Sequence, residues 1–154
     1  DWNDDQEIQS YLEKILRKEA GDGSGLIYGM GHAIYTKSDP RALILKRYAR
    51  SLAQKTGLLQ EWELLESIER LSPKVFQRVT GSDKVMCANV DFYSGLVYRM
   101  LNIPEDLYTP LFAIARISGW CAHRIEEVMT SNRIIRPAYK SLNKSREYIP
   151  ISKR

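Results

Sequence analysis

The sequence predicts an all-α chain on three observations. Apolar residues recur three and four positions apart, helix-start signals precede those runs, and no segment shows sustained strand-like alternation. Asn3, with Gln6 three residues later, forms a capping box, and Ile8, Leu12, Ile15 and Leu16 then follow at helical spacing until Gly21. The glycine-rich stretch from Gly21 to Gly31 cannot sustain a helix and reads as a loop whose backbone can approach a ligand closely. Asp39 and Pro40 supply an N-cap and a first-turn proline for a second helix with Leu43, Leu45, Tyr48 and Leu52, stopped by Gly57. A third helix is expected from Leu58 to Leu71, interrupted at Ser72-Pro73 because proline lacks the N–H that a helix interior uses. The apolar segment from Lys84 to Leu101 fits a strand or a buried helix, and its length favours helix. Thr109 and Pro110 open another helix through Met129, apolar almost all round and so expected inside the molecule. Beyond Ser131 the periodicity gives way to charge, and an extended arm lying on a partner is expected.

With 154 residues, 44% of them hydrophobic, the chain is long enough for one compact domain. No run reaches the roughly 18 to 20 uncharged apolar residues of a membrane span, so no membrane partner is expected. The opening residues Asp1 to Asp5 lack the basic and apolar regions of a signal peptide, and a cytoplasmic location is the expectation. Cys87 and Cys121 sit in separate apolar segments without metal-ligand spacing, so they read as buried free thiols and no metal site is indicated. The net charge of +4 and pI near 9.1 permit an anionic partner. The basic residues form no stripe interleaved with aromatics, which argues against nucleic acid.

Three residues are costly in a plain helical fold. Arg116 falls in the apolar run Leu111 to Trp120, where a buried guanidinium needs an anionic partner. Asp91 falls in the apolar run Val85 to Tyr98, where a carboxylate withdrawn from water must be paired or become more basic. The two could satisfy one another as a core ion pair. His32 lies in the glycine-bounded loop ahead of a helix that opens with Pro40 and Arg41, a setting that favours function over a structural histidine. His123 reads as an ordinary polar-face residue. Together these residues suggest an anion-binding site with one acid and one imidazole.

The motif Gly29-Met30-Gly31-His32, the arginine of Asp39-Pro40-Arg41 nine residues after the histidine, and Asn89-Val90-Asp91 with Ser94-Gly95 resemble the carboxy-terminal part of citrate synthases. Arg116, Gly119-Trp120, Ala122-His123 and Arg136, twenty residues after Arg116, continue the likeness over nearly the whole chain. The resemblance implies a multi-helical small domain, with residues 1–24 as a leading helix and loop, 25–130 as the domain carrying the catalytic residues, and 131–154 as the arm. It implies that Asp91 is the general base that deprotonates acetyl-CoA and that His32 donates a hydrogen bond or proton to the oxaloacetate carbonyl. Arg41, Arg116 and Arg136 match the arginines that hold the carboxylates of oxaloacetate and citrate, with Arg136 reaching a neighbouring subunit's site, so a homodimer is implied.

Leu26, Ile27, Tyr28, Gly29, Met30 and Gly31 match the segment lying against CoA, and Lys37 is a further candidate for a CoA phosphate. Acetyl-CoA and CoA would be substrate and product, with no tightly bound cofactor. The likeness departs at Ala33, where many bacterial members carry an arginine. Members also carry a large preceding helical domain whose histidines polarise the thioester and contact oxaloacetate. Neither His32 nor His123 sits in those motifs, so the 154-residue chain alone is expected to be inactive. A 2-methylcitrate synthase and a non-catalytic anion-binding helical module are the alternative readings.

Overall fold

The computed structural model describes residues 1–130 and residue 150. Its elements are helical: α1 (Asp5–Leu16), α2 (Pro40–Thr56), α3 (Leu59–Thr80), α4 (Asp91–Met100) and α5 (Tyr108–Thr130), with a 3-10 turn at Glu105–Leu107. The chain divides into two compact units, Asp1–Leu111 and Phe112–Arg154. None of these helices is long and apolar enough to cross a membrane. The expected arm beyond residue 130 and Arg136 lie outside the described residues, apart from Pro150.

In the first unit, α3 is the shared wall of two cores. On one side Leu71 and Val75 pack with Ile8 and Leu12 of α1. On the other, Trp62 packs with Ala49 and Ala53 of α2 and with Phe92, Tyr93, Leu96 and Met100 of α4. Ile68 touches both clusters. Burying a side chain such as Leu12 contributes about 1.5–3 kcal/mol.

Local signals located the helices, while packing moved several boundaries. Asp4, one residue past the expected Asn3, caps α1, because its carboxylate accepts from the amides of Gln6 and Glu7. The helix ends at Leu16 rather than near Gly21, with Lys18 taking a left-handed backbone (φ 65°). On α2 the buried face is the alanine face, Ala42, Ala49 and Ala53, while the expected Leu43 and Tyr48 are exposed. Small side chains let a neighbouring helix approach closely, so size rather than hydrophobicity selected that face. Asp39 and Gly57 cap α2 as expected.

Helix α3 is not interrupted at Ser72-Pro73, and runs to Thr80. Buried Leu71 and Val75 on either side of Pro73 pack against α1, and that packing offsets a local cost on the order of 3 kcal/mol. Residues 81–90 are irregular, so only the second part of the Lys84 to Leu101 segment is helix. The last helix opens at Tyr108, with Pro110 in its first turn where the missing N–H does no harm.

A half-buried charged node ties the first unit together. Lys46 of α2 reaches Glu69 (2.8 Å) and Glu66 (3.1 Å) of α3. The Tyr93 hydroxyl of α4 donates to the same Glu69 carboxylate at 2.6 Å. Burial, then the bond to Glu69, push the Tyr93 phenol well above its ordinary range, so it stays a donor. Surface pairs Arg70–Asp5 and Arg78–Glu13 join α3 to α1, where solvent screening leaves such pairs little weight in stability.

The second unit presents α5, none of whose side chains is buried. Phe112, Ile114, Ile117, Trp120, Ile125, Val128 and Met129 are exposed, contrary to the expected internal helix. A helix apolar on every side cannot cover itself, so its burial depends on surfaces from elsewhere. Arg116 is likewise exposed, its guanidinium 4.5 Å above the Phe112 ring. Cys121 is exposed and Cys87 half-buried, so only the latter approaches the expected buried thiol.

Tyr93→Phe removes one charge-assisted hydrogen bond without opening a cavity. It should lower the unfolding free energy by about 1.5–3 kcal/mol, read as a shift of the urea midpoint at unchanged slope.

Candidate active site

The site grows from the glycine-rich loop. Met30 forms an isolated antiparallel bridge with Ala88, flanked by Gly31 N–H donating to the Cys87 carbonyl (2.7 Å) and Asn89 N–H donating to the Gly29 carbonyl (2.8 Å). Gly29 has φ 78°, and a Cβ there would fall 2.7 Å from the Phe92 Cα and 2.8 Å from its ring. The loop therefore lies directly on the first turn of α4, the turn that begins with Asp91. Any larger residue at 29 would prise them apart.

The His32 imidazole is seated by its own loop. Its Nδ1 accepts from the backbone amides of Ile34 (3.0 Å) and Tyr35 (3.1 Å). Two donors aimed at Nδ1 require its lone pair, so the neutral ring carries its proton on Nε2. The ring sits against Tyr35, centroids 4.9 Å apart. Tyr35 in turn carries the Arg41 guanidinium 5.3 Å from its ring centre.

Arg41 is held by the residue that caps its helix. Asp39, buried to 1% exposure, accepts from Arg41 Nε (3.0 Å), Arg41 Nη2 (2.8 Å) and the Arg41 backbone amide (3.0 Å). The guanidinium bond takes the Asp39 carboxyl down from its ordinary 3.8 to about 2. The bond to Asp39 raises the Arg41 pKa, with smaller contributions from the charges of Tyr35 and Asp91. His32, Tyr35 and Arg41 thus form one contact series in the first unit, and Asp91 opens the helix turn on which the same glycine loop lies.

The geometry departs from expectation at two of these residues. Asp91 is exposed instead of withdrawn from water, because it opens α4 at the surface while Phe92 and Tyr93 turn into the core. The fork of Arg41 is already engaged by Asp39, which leaves Nη1 without a hydrogen-bond partner among the described residues. The remaining candidates are distributed along the chain. Leu26, Ile27, Tyr28, Gly29 and Met30, with Leu16, Gly25, Phe76 and Met86, line a cavity of about 160 Å³. Leu26 and Tyr28 are exposed, and the Tyr28 hydroxyl donates to Asp22 at 2.6 Å. Gly31 is half-buried beside His32, Lys37 is exposed between His32 and α2, and Arg116 belongs to the second unit.

Two participants escaped the sequence reading. Asp39 was assigned only a capping role, although a carboxylate two residues before an arginine at a helix start can serve both the amide and the guanidinium. Tyr35 carried no local signal, since its place between an imidazole and a guanidinium exists only once the loop is folded.

Gly29→Ala meets both a left-handed backbone and a 2.7 Å clash with the α4 backbone, and should lower stability by at least about 2 kcal/mol in urea unfolding. The depressed Asp39 pKa means that its contribution is complete above the ordinary 3.8 and is lost as pH falls towards about 2. Asp39→Asn should therefore flatten the fall of stability across that window, measured by thermal unfolding against pH.

The family model described as citrate synthase, C-terminal domain, matches residues 1–138. A citrate synthase of Synechocystis sp. is 41% identical over 150 residues, covering 97% of this chain and 35% of the relative. The crystal structure of citrate synthase from Pyrobaculum aerophilum is similar with a TM-score of 0.63 at 32% identity, over 95% of this chain and 35% of that one. The Thermoplasma acidophilum citrate synthase, solved as a ternary complex with carboxymethyl coenzyme A and oxaloacetate, has a TM-score of 0.60 at 30% identity, over 97% of this chain and 42% of that one. The chain spans about a third of the length of the curated relative it matches. Its helical architecture, the His32-bearing loop whose Gly29 lies on the start of α4 and these likenesses agree: the chain belongs to the citrate synthase family, as its C-terminal domain.

Proposed function

We propose that this chain is the carboxy-terminal part of a citrate synthase, which condenses acetyl-CoA with oxaloacetate and water to give citrate and CoA. The observation that carries the reading is an Nε2-protonated imidazole in contact series with a guanidinium, on a loop that lies against the helix turn opened by the Asp91 carboxylate. Asp91 is the base that removes a methyl proton from the acyl thioester. His32 presents Nε2–H to the keto oxygen of oxaloacetate, where a hydrogen bond strengthens as the oxygen gains charge during carbon–carbon bond formation. Arg41, oriented by Asp39, offers Nη1 to a substrate carboxylate, and the resemblance gives Arg116 and Arg136 the same kind of ligand.

The exposure of Asp91 says which part of the work this chain does not perform. Water around a carboxylate stabilises its charge and weakens it as a base, so productive enolisation requires that solvent be excluded by substrate and by the rest of the intact protein. The electrophile for the thioester carbonyl belongs to that remainder. CoA lies along the segment from Leu26 to Gly31, of which Leu26 and Tyr28 are exposed, with Lys37 near its phosphates. The same reading includes a homodimer completed by Arg136 and a cytoplasmic location. Acetyl-CoA is preferred to propionyl-CoA because most of the matched relatives are named citrate synthase, one Bacillus subtilis relative being named citrate/2-methylcitrate synthase, and a purely anion-binding module would not need the carboxylate of Asp91.

In the intact protein, Asp91→Asn should reduce turnover by roughly 10²- to 10⁴-fold with the unfolding midpoint kept, and a core ion pair would predict the reverse. The 154-residue chain alone should release CoA from acetyl-CoA and oxaloacetate no faster than buffer. Steady release would contradict the incomplete site. Propionyl-CoA turnover of the intact protein exceeding that with acetyl-CoA would instead point to 2-methylcitrate.

A further inference from the structure

We infer that Asn89 is a positioning residue that sets His32 against Asp91. Its side-chain amide uses both ends. Nδ2 donates to the carbonyl of Gly31 at 2.9 Å, one residue before His32. Oδ1 accepts from the backbone amide of Asp91, also at 2.9 Å. The Asn89 backbone adds a third tie, its N–H donating to the Gly29 carbonyl at 2.8 Å, while its own carbonyl accepts from Phe92 N–H at 3.2 Å. One half-buried residue thus fixes the end of the glycine loop and the first turn of α4 simultaneously.

The residue type follows from this double duty. Asparagine carries a donor and an acceptor on one planar group, whereas aspartate at neutral pH only accepts and alanine does neither. A helix-opening role alone would be served equally by aspartate, since an acceptor near a helix N-terminus is all it needs. Positioning demands the donor as well, because an aspartate would leave the Gly31 carbonyl unpaired and set a negative charge against it. No other described side chain bonds to both the loop and α4 at this junction. Backbone pairing between Gly31 and Cys87 holds the loop from its other edge but does not touch Asp91.

The turnover arm of the test rests on the function proposed above, and the exchange arm does not. In the intact protein, Asn89→Ala should lower turnover roughly 10- to 100-fold, the scale expected of a misplacement of about 1 Å, with KM for either substrate within about threefold. Combined with His32→Ala, it should cost clearly less than it does on its own, because part of its effect passes through the imidazole; a merely structural role would add in full. Asn89→Asp, which keeps the helix-opening acceptor, should be impaired to a similar degree, and replaces the alanine variant if that variant does not fold.

Hydrogen exchange at the Ile34 and Tyr35 amides, which seat the ring, should speed up at least about tenfold in either variant while the amides around Ala49 and Trp62 keep their protection. If the unaltered protein makes no citrate but these amides respond, the functional reading fails and the positioning of the ring stands. Unchanged exchange at both amides, turnover within twofold of the unaltered protein, or full additivity with His32→Ala would each overturn the inference.

Discussion

One close approach governs this structure: the backbone at Gly29 lies on the first turn of α4, near enough that a single methyl group would collide with Phe92. That constraint puts an irregular loop and a helix N-terminus in direct contact. Everything chemical follows from it, because His32 is three residues along the loop and Asp91 immediately precedes Phe92. Glycine here serves no flexibility. It removes the side chain that would hold the two segments apart, in a left-handed conformation that other residues adopt at a cost.

The approach would be soft if α4 could slide, and the core prevents this. Tyr93 is wholly buried in one cluster with Trp62 and with Ala49 and Ala53 of α2, and its hydroxyl ends on the Glu69 carboxylate oxygen that Lys46 also reaches. A buried charge is tolerated only when paired and hydrogen-bonded, so the node specifies one arrangement of three helices as well as stabilising it. Asp39 follows the same logic at smaller scale: one buried carboxylate caps α2 and aims Arg41.

Precision on one side contrasts with openness on the other. The imidazole has a defined tautomer and the arginine a defined edge, yet Asp91 remains in water and the side chains of α5 are uncovered in their own unit. Geometry and desolvation are separate contributions to a catalytic site, and the described residues order an imidazole and a guanidinium while leaving the Asp91 carboxylate in water. The share of the relatives' length that it spans agrees with that division.

By itself the sequence determined the helical class, the capped ends of α2 and the glycine loop, because these follow from local spacing and residue chemistry. It could not determine which face of α2 is buried, since Leu43 outranks Ala42 by hydrophobicity and loses to it by size. Nor could local rules foresee that α3 continues through Pro73, where packing on both sides outweighs a missing hydrogen bond. Asp91 illustrates the division most clearly: its apolar neighbours predict burial, but a residue at the start of a helix faces solvent unless another surface covers it. Tertiary structure alone decided the bonding of Asp39 to Arg41, the place of Tyr35 and the reach of Asn89 across the junction, because each depends on groups that meet only when separate segments fold together.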